Sequence, residues 1–400
     1  MKRTIVLAVL GWALLASCSK NPTNPQDKVD LSDLSAEGSA NCYVLSEAGT
    51  YHFDGTVKGN GATTEGITLP TGLPTQSAGL IWESAKGMIK DISFDGINIH
   101  FTFDGTHGNA LIGALDKDGN IVWSWHIWAP KDRLEAFESK TGHFVANLNL
   151  GALISDFQDT PSAEAYGMLY QWGRKDPLPS SATLTGDLST IGAPLYDADG
   201  QEVKIANSSW TDTKCNTLEY SIAHPTVCLS NYAHSSSTKD WLIESEGNDH
   251  LWADTKTIFD PCPVGYKVPS AAVFKTFTTS GGYTVDPSAF DVADISGDGI
   301  INADDFTYGW HFNLKDKSLL FPAAARYDGS YAMLMGSKSG LWGTYWANSS
   351  ATGTTTYKGM ADVALTFMVE GKNIATSAAA YSNKADAYSI RCVKQSPYSL

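Results

Sequence analysis

Residues 294–305 have the spacing of oxygen-bearing side chains that a hard cation needs. They read Asp-Ile-Ser-Gly-Asp-Gly-Ile-Ile-Asn-Ala-Asp-Asp, with oxygen donors at alternate positions and Gly299 where a sharp turn is required. Calcium takes about six to eight oxygen ligands, so we predict a calcium site in this loop. The predicted ligands, with Ile300 acting through its carbonyl, are Asp294, Ser296, Asp298, Ile300, Asn302 and Asp305.

The same loop departs from a high-affinity calcium site in two ways. Its twelfth position is Asp305, which is shorter than the glutamate that binds calcium through both oxygens, and no second loop of this type accompanies it. It is similar to one half of a dockerin-type repeat, and we expect a dissociation constant of about 10⁻⁴–10⁻³ M. The alternative is an Asp- and Gly-rich turn without an ion.

The sequence contains none of the common catalytic patterns, such as a GxSxG elbow, an HExxH helix, a P-loop or a dinucleotide-binding fingerprint. Its histidines are scattered without spaced partners, so we predict no catalytic residue. Adjacent carboxylates such as Asp304 and Asp305 could act as acid and base on a glycoside, but such neighbours usually point apart or bind cations. The sequence therefore favours a binding protein over an enzyme.

Tryptophans are a second source of binding chemistry, because their rings can stack against sugars. We expect most of the 12 to be buried, including Trp123 and Trp125 at strand spacing. The candidates for ligand contact are those in loop-like segments, namely Trp241, Trp252 and Trp342.

The N-terminus has the pattern of a bacterial lipoprotein signal. Lys2 and Arg3 precede an apolar run at 5–16, and Leu-Ala-Ser-Cys at 15–18 resembles a lipobox. The resemblance implies that Cys18 is acylated and tethers the chain to the outer membrane at the cell surface, since several acyl chains hold a protein stably. The alternative is ordinary secretion with cleavage near Ser17.

Charge limits the choice of partners. The chain carries 43 acidic against 28 basic residues, a formal net charge of −15. An acidic surface repels phosphate backbones, and no basic cluster with interleaved aromatics is present in the sequence, so we exclude nucleic acid as a partner. The lipid anchor makes the membrane a partner, and a glycan or another surface protein is the further partner we consider.

The distribution of turn residues and apolar runs divides the chain into four parts. We predict a signal peptide at 1–17, a flexible tether at 18–38, an antiparallel β-sandwich at 39–132, and a loop-rich α+β domain at 133–400 with the calcium-type loop inserted at 294–305. The clearest hairpin joins residues 110–115 to 121–128 through Asp-Lys-Asp-Gly-Asn. After Pro130 the pattern predicts mixed helix and loop.

Several sequence blocks occur in the order seen in the Fibrobacter succinogenes major paralogous domain. They are Tyr-Gln-Trp-Gly-Arg-Lys-Asp at 170–176, Asp-Pro-Cys-Pro-Val-Gly-Tyr-Lys-Val-Pro at 260–269, Phe-Pro-Ala at 321–323, Gly-Thr-Tyr-Trp at 343–346 and Ser-Ile-Arg-Cys-Val at 389–393. The segment from Ala-Asn-Cys-Tyr at 40–43 to Trp-Ser-Trp-His-Ile-Trp at 123–128 is similar to the N-terminal module of Bacteroides fimbrillin-like surface lipoproteins. Residues 147–152 depart from the family, which commonly has Asp-Arg where this chain has Asn147 and Leu148.

The resemblance implies a C-type-lectin-like or sulfatase-modifying-factor-like fold for the second domain. It also implies adhesion or binding of a glycan or protein partner at the cell surface, including the role of a fimbrial accessory component. The alternative is a polysaccharide-binding or processing surface protein with carboxylate-based, glycosidase-type chemistry.

The cysteines fit an exported protein in which disulfides persist. Five remain besides Cys18. From the separated motif blocks we expect a bridge between Cys262 and Cys392, and from their short spacing a local bridge between Cys215 and Cys228. Cys42 is then expected to be a buried free thiol.

Overall fold

The computed structural model describes residues 32–67, 69–70, 72–157, 160–185, 192–208, 213–231, 239–242, 248–351, 359–368, 372–376 and 380–395. The predicted signal peptide and Cys18 lie outside these ranges. Across the described residues the fold is β-rich. None of the helices in these ranges has the length and apolar character needed to cross a membrane.

Seven strands form the N-terminal part of the fold: β1 (Cys42–Val44), β2 (Gly49–Asp54), β3 (Ser77–Glu83), β4 (Ile89–Phe94), β5 (Asn98–Phe103), β6 (Gly108–Leu115) and β7 (Ile121–Ala129). One sheet has the order β1-β7-β6-β3 and the other β2-β5-β4. The hairpin predicted between β6 and β7 is present, with Asp116 accepting backbone hydrogen bonds from Asp118 and Asn120 at 2.9 Å each.

One pairing differs from the antiparallel arrangement predicted for this region. Strand β1 pairs with β7 in parallel, with Cys42 opposite His126 and Val44 opposite Trp128. Parallel neighbours need a long connection, and here the five intervening strands provide it. As a result β1 is an edge strand of the four-stranded sheet.

The remaining strands are short and belong to several small sheets: β8 (Ala136–Glu138), β9 (Phe144–Ala146), β10 (Met168–Gln171), β11 (Leu178–Pro179), β12 (Ala206–Asn207), β13 (Val227–Cys228), β14 (Tyr266–Lys267), β15 (Gly309–Asn313), β16 (Ser318–Pro322), β17 (Tyr327–Asp328), β18 (Met333–Leu334), β19 (Trp342–Ser350), β20 (Met360–Met368), β21 (Asn373–Thr376), β22 (Tyr381–Asn383), β23 (Ala387–Tyr388) and β24 (Val393–Lys394). The longest pairing joins β19 to β20, and β20 also pairs with β21 and β22.

Helical structure after Pro130 is scarcer than the sequence pattern predicts. Within the described ranges it comprises α1 (Leu218–Ala223) and the 3-10 turns Ala163–Ala165, Thr213–Cys215, Asn248–His250, Ala271–Phe277, Pro287–Ala289, Ala303–Asp305 and Gly336–Lys338. Glycines interrupt the stretch at 163–175, where Gly167 and Gly173 have φ of +74° and +83°. These left-handed conformations end a helix and permit the short strand β10 between them.

Strand β7 explains how the N-terminal sheets attach to the rest of the chain. On one face, the Trp125 ring lies 5.0 Å from that of Phe53 in β2, so the two N-terminal sheets pack together. On the other face, Trp128 donates its indole N–H to the Ala152 carbonyl at 2.7 Å. Because β7 is buried on both faces, one continuous apolar cluster runs from the N-terminal sheets into the following region.

The disulfide predicted between Cys262 and Cys392 is confirmed. The bridge predicted between Cys215 and Cys228 is wrong, because both are buried free thiols. Cys228 packs in one apolar cluster, whereas its strand neighbour Val227 packs in another cluster that also contains Cys215. Alternation of side chains along a strand thus points Cys228 away from its predicted partner. Cys42 is a buried free thiol, as expected.

Candidate functional site

A cleft of about 530 Å³ lies where the N-terminal sheets meet the following region. Its walls come from the edge strand β1, from the segment that leaves β7, and from the chain just after Cys262. The lining residues are Leu34, Cys42, Tyr43, Val44, Leu45, Ser46, His107, Pro130, Lys131, Asp132, Arg133, Leu134, Pro263, Val264 and Tyr266. The cleft therefore combines an apolar floor with a polar rim.

The rim of the cleft carries charges of both signs, with Lys131 and Arg133 beside Asp132. Lys131 is paired with Glu164 at 2.6 Å. Asp132 is engaged by Ser155, which donates both its backbone N–H and its hydroxyl at 2.7 Å. Arg133 is exposed and forms no ion pair with any described residue, so its guanidinium faces solvent at the rim.

The Cys42 thiol at the base of the cleft is not a nucleophile. Its side chain is fully buried, and this desolvation raises the pKa of the thiol far above its usual value. A cysteine that stays protonated packs as a small apolar group.

A buried polar cluster between β7 and the following region has the composition of a catalytic serine–lysine pair. The ammonium of Lys175 lies 2.5 Å from the Ser124 hydroxyl and 2.6 Å from the Asp176 carboxylate. The Ser124 hydroxyl also donates to Asp176 at 2.6 Å. However, the Lys175 and Asp176 side chains are only 2% and 3% exposed, and Ser124 is 1% exposed. A substrate cannot reach these groups, so they join β7 to the following region instead.

His126 belongs to the same interface. Its two ring nitrogens lie 2.8 Å from the Asn109 carboxamide oxygen and 3.2 Å from the Tyr170 hydroxyl. Complete burial lowers the pKa of His126 to about 3, so the ring is neutral at physiological pH. A neutral imidazole can donate to Asn109 and accept from Tyr170, which satisfies both nitrogens.

The residues predicted to bind calcium lie together in a loop that is closed by its own hydrogen bonds. Asp294 accepts from the backbone of Gly297 and Gly299 at 2.6 and 2.7 Å. Asp305 is fully buried and accepts from the backbone of Ile295, Ser296 and Asn302 at 2.9–3.0 Å, while the Asp298 carboxylate accepts from Ile300.

This arrangement does not present the predicted calcium ligands as one set. No group of three or more His, Cys, Asp or Glu side chains is placed to hold a metal ion anywhere in the described ranges. Asp305 instead forms a capping box with Asn302 at the 3-10 turn Ala303–Asp305. The conformation is that of a self-capped turn, and calcium binding stays a prediction for titration to decide.

Two of the three tryptophans predicted to contact a ligand are in the core. Trp241 is fully buried and donates its indole N–H to the Trp172 carbonyl at 2.8 Å. Trp252 is also buried and donates to the Phe259 carbonyl at 3.0 Å. The prediction was wrong for both because loop-like sequence here forms the interior of a loop-rich fold. Trp342 is half-buried, with Arg326 and Lys338 over its ring at 5.3 and 4.9 Å.

Comparison of the chain with protein-family models, with curated proteins and with solved structures finds no match.

Proposed function

We propose that this chain is a lipid-anchored cell-surface protein that acts in adhesion by binding an acidic partner at the cleft beside β1. The observation that carries the proposal is the exposed Arg133 on the rim of a 530 Å³ cleft in a chain of net charge −15. Arg133 is the basic side chain of the cleft lining that has no ion pair among the described residues, and its guanidinium can bind the carboxylate or sulfate of a ligand in two hydrogen bonds. The ligand classes are an acidic glycan or an acidic segment of another surface protein.

The architecture we propose is an N-terminal β-sandwich followed by a C-type-lectin-like domain of the Fibrobacter succinogenes major paralogous type. Contacts among the motif blocks support it. Trp172 donates its indole N–H to the Ala347 carbonyl at 2.9 Å, and Trp346 donates to the Tyr170 carbonyl at 2.7 Å. The Arg391 side chain donates to the carbonyls of Asn147 and Leu320 at 2.8 and 2.6 Å. The blocks thus interlock in space.

Glycoside processing, the alternative function, needs two carboxylates facing each other across roughly 5–9 Å. Among the residues that line the cleft Asp132 is the sole carboxylate, and no tryptophan lines it. The cleft therefore favours binding over hydrolysis.

The anchor is tested by replacing Cys18 with alanine. We expect the Cys18→Ala variant to lose incorporation of a clickable fatty acid and to move from the membrane fraction to the soluble fraction. A variant that still sediments with membranes would show that something other than lipid holds the protein there.

The binding site is tested on the soluble Cys18→Ala protein with a glycan array and with labelled surface proteins of the same cell, in calcium and in chelator. We expect Arg133→Glu to weaken binding of the acidic ligand by roughly tenfold or more, because it reverses a charge at the rim. Lys90→Glu is the matched control, since Lys90 is an exposed basic residue on β4 outside the cleft. Equal losses in both variants would point to general charge attraction and would overturn the assignment to the cleft.

A further inference from the structure

Lys58 is a buried cation without an acidic partner among the described residues. It lies on the loop between β2 and β3 and is only 8% exposed. Its ammonium donates to the carbonyls of Pro70 and Gly72, the latter at 3.1 Å. Burial lowers the pKa of Lys58, and no carboxylate opposes that effect. The ammonium of Lys58 is thus partly buried and bonded to neutral oxygens alone among the described residues, so its charge has no counter-ion there.

The loop that carries Lys58 is fixed against the second half of the chain. Asn60 donates its carboxamide N–H to the Lys256 carbonyl at 2.8 Å. Gly59 has φ of +52°, and a Cβ there would lie 2.2 Å from the Ile258 carbonyl oxygen, so only glycine allows this approach. The position of Lys58 is therefore set by packing.

Lys58 lines a separate cavity of about 120 Å³. Its lining includes the apolar side chains of Ile67, Leu69 and Ile258 together with Lys58 and Thr64. A cavity of this volume holds several water molecules, which suits a ligand with only a few heavy atoms. The cavity is distinct from the 530 Å³ cleft, with which it shares no residue.

Thr64 supplies a second polar group without a partner. It is 6% exposed, and its hydroxyl is buried and makes no hydrogen bond within the described structure. Buried polar atoms nearly always have a partner, so an orphan hydroxyl in a cavity lining indicates a missing acceptor or donor. Lys58 and Thr64 both have hydrogen-bond donors to offer to the same cavity.

We propose that this cavity is a binding site for a short-chain monocarboxylate, with Lys58 and Thr64 binding the carboxylate and the apolar wall covering its alkyl tail. A single ammonium balances one negative charge. The apolar lining disfavours inorganic phosphate or sulfate, whose oxygens would face Ile67 and Leu69 without hydrogen bonds. The site is independent of the cleft and does not rest on its proposed function.

The test is calorimetric titration and thermal melting with sodium butyrate, against sodium chloride of equal ionic strength. For wild type we expect saturable one-site binding and a higher melting temperature. Thr64→Val keeps the shape of the side chain but removes the hydroxyl, and we expect it to weaken binding roughly tenfold. Lys58→Met should abolish binding.

Lys90→Met is the matched control, because it removes an exposed lysine elsewhere on the N-terminal sheets and should bind butyrate as wild type does. If Lys58→Met fails to fold, Thr64→Val still decides the question. The proposal is overturned if wild type shows no saturable binding, if Thr64→Val binds as tightly as wild type, or if inorganic phosphate binds more tightly than butyrate.

Discussion

Replacing Asp176 with asparagine should strongly destabilise the whole fold. Asp176→Asn keeps the shape of the side chain and one acceptor oxygen, but it removes the charge that faces the ammonium of Lys175 at 2.6 Å. Lys175 is then a buried cation that meets only neutral partners: the amide oxygen of the new asparagine, the hydroxyl and carbonyl of Ser124, and the Trp123 ring at 4.7 Å. Breaking a buried ion pair on one side typically costs about 3–5 kcal/mol, because the remaining charge stays desolvated.

The pH dependence of this loss has a definite sign. In wild type, burial lowers the pKa of Lys175, and the charge of Asp176 opposes that shift. Without Asp176 the pKa of the folded-state lysine falls further below its unfolded value of about 10.4. Between those two pKa values the unfolded chain binds more protons, so stability rises with pH. The destabilisation of Asp176→Asn should therefore be largest near neutral pH and shrink towards about pH 10.

Denaturant unfolding and thermal melting measure the effect, with an expected fall in melting temperature of roughly 4–6 °C at pH 7 for a chain of this length. The chain offers a matched control in Lys117 and Asp118, a second adjacent Lys–Asp pair at 2.6 Å whose side chains are 80% and 61% exposed. Asp118→Asn should leave stability unchanged, because exposed pairs contribute little. Similar effects of Asp176→Asn and Asp118→Asn, or a loss from Asp176→Asn that does not vary with pH, would refute the argument from burial.

Other predictions concern the disulfide, the self-capped loop and the buried histidine. Replacing both Cys262 and Cys392 with serine opens a loop closed across a separation of 130 residues, so the free energy of unfolding should fall by about 5 kcal/mol in the chain-entropy model. A reducing agent should then have no further effect on the melting temperature of the variant. Asp305→Ala leaves three backbone N–H groups without their acceptor and should lower stability by about 2–3 kcal/mol in chelator. Asp298→Ala should abolish the predicted calcium-dependent rise in melting temperature, and equal rises in wild type and Asp298→Ala would place the ion elsewhere. The pKa of His126 in the folded state is about 3, so wild type should lose a few kcal/mol of stability as pH falls from about 6.5 towards 3. His126→Gln has no such group and should lose less stability over that range. Acid titration followed by circular dichroism measures both.

The sequence was most informative where the pattern is local. The hairpin of β6 and β7 was predictable because Asp-Lys-Asp-Gly-Asn combines a positive-φ glycine, Gly119, with an aspartate that accepts backbone hydrogen bonds. The pairing of Cys262 with Cys392 was predictable from the resemblance of the two motif blocks that contain them, although no local rule would have given it.

The sequence was least informative about polar residues that become buried by long-range packing. Ser124 and His126 alternate with apolar residues along β7, which is the pattern of a strand with one face in solvent. Both are buried because Asp176 and Tyr170, more than 40 positions away, cover that face. No signal within β7 reveals this cover. Lys-Asp directly after Trp-Gly-Arg at 172–174 does not by itself indicate that the lysine and the aspartate are buried.

Trp241 and Trp252 were wrongly predicted to contact a ligand for a related reason. A tryptophan without strand or helix periodicity around it gives no indication of which way it faces. Here irregular backbone forms part of the core, so each indole N–H binds a backbone carbonyl in the interior. These bonds give partners to buried backbone carbonyls that lie outside regular sheets, so the indole N–H groups take the place of strand neighbours.

The cleft has buried walls and an exposed rim, and the two parts are expected to contribute differently to function. The walls of the cleft include Tyr43 and Pro263, which are buried and pack into the fold. The rim includes His107 and Arg133, which are exposed. A fold does not by itself fix a ligand, and exposed loop residues set specificity on a rigid support. Substitutions at the rim should therefore change ligand choice while the protein stays folded, whereas substitutions in the wall should reduce stability and binding together.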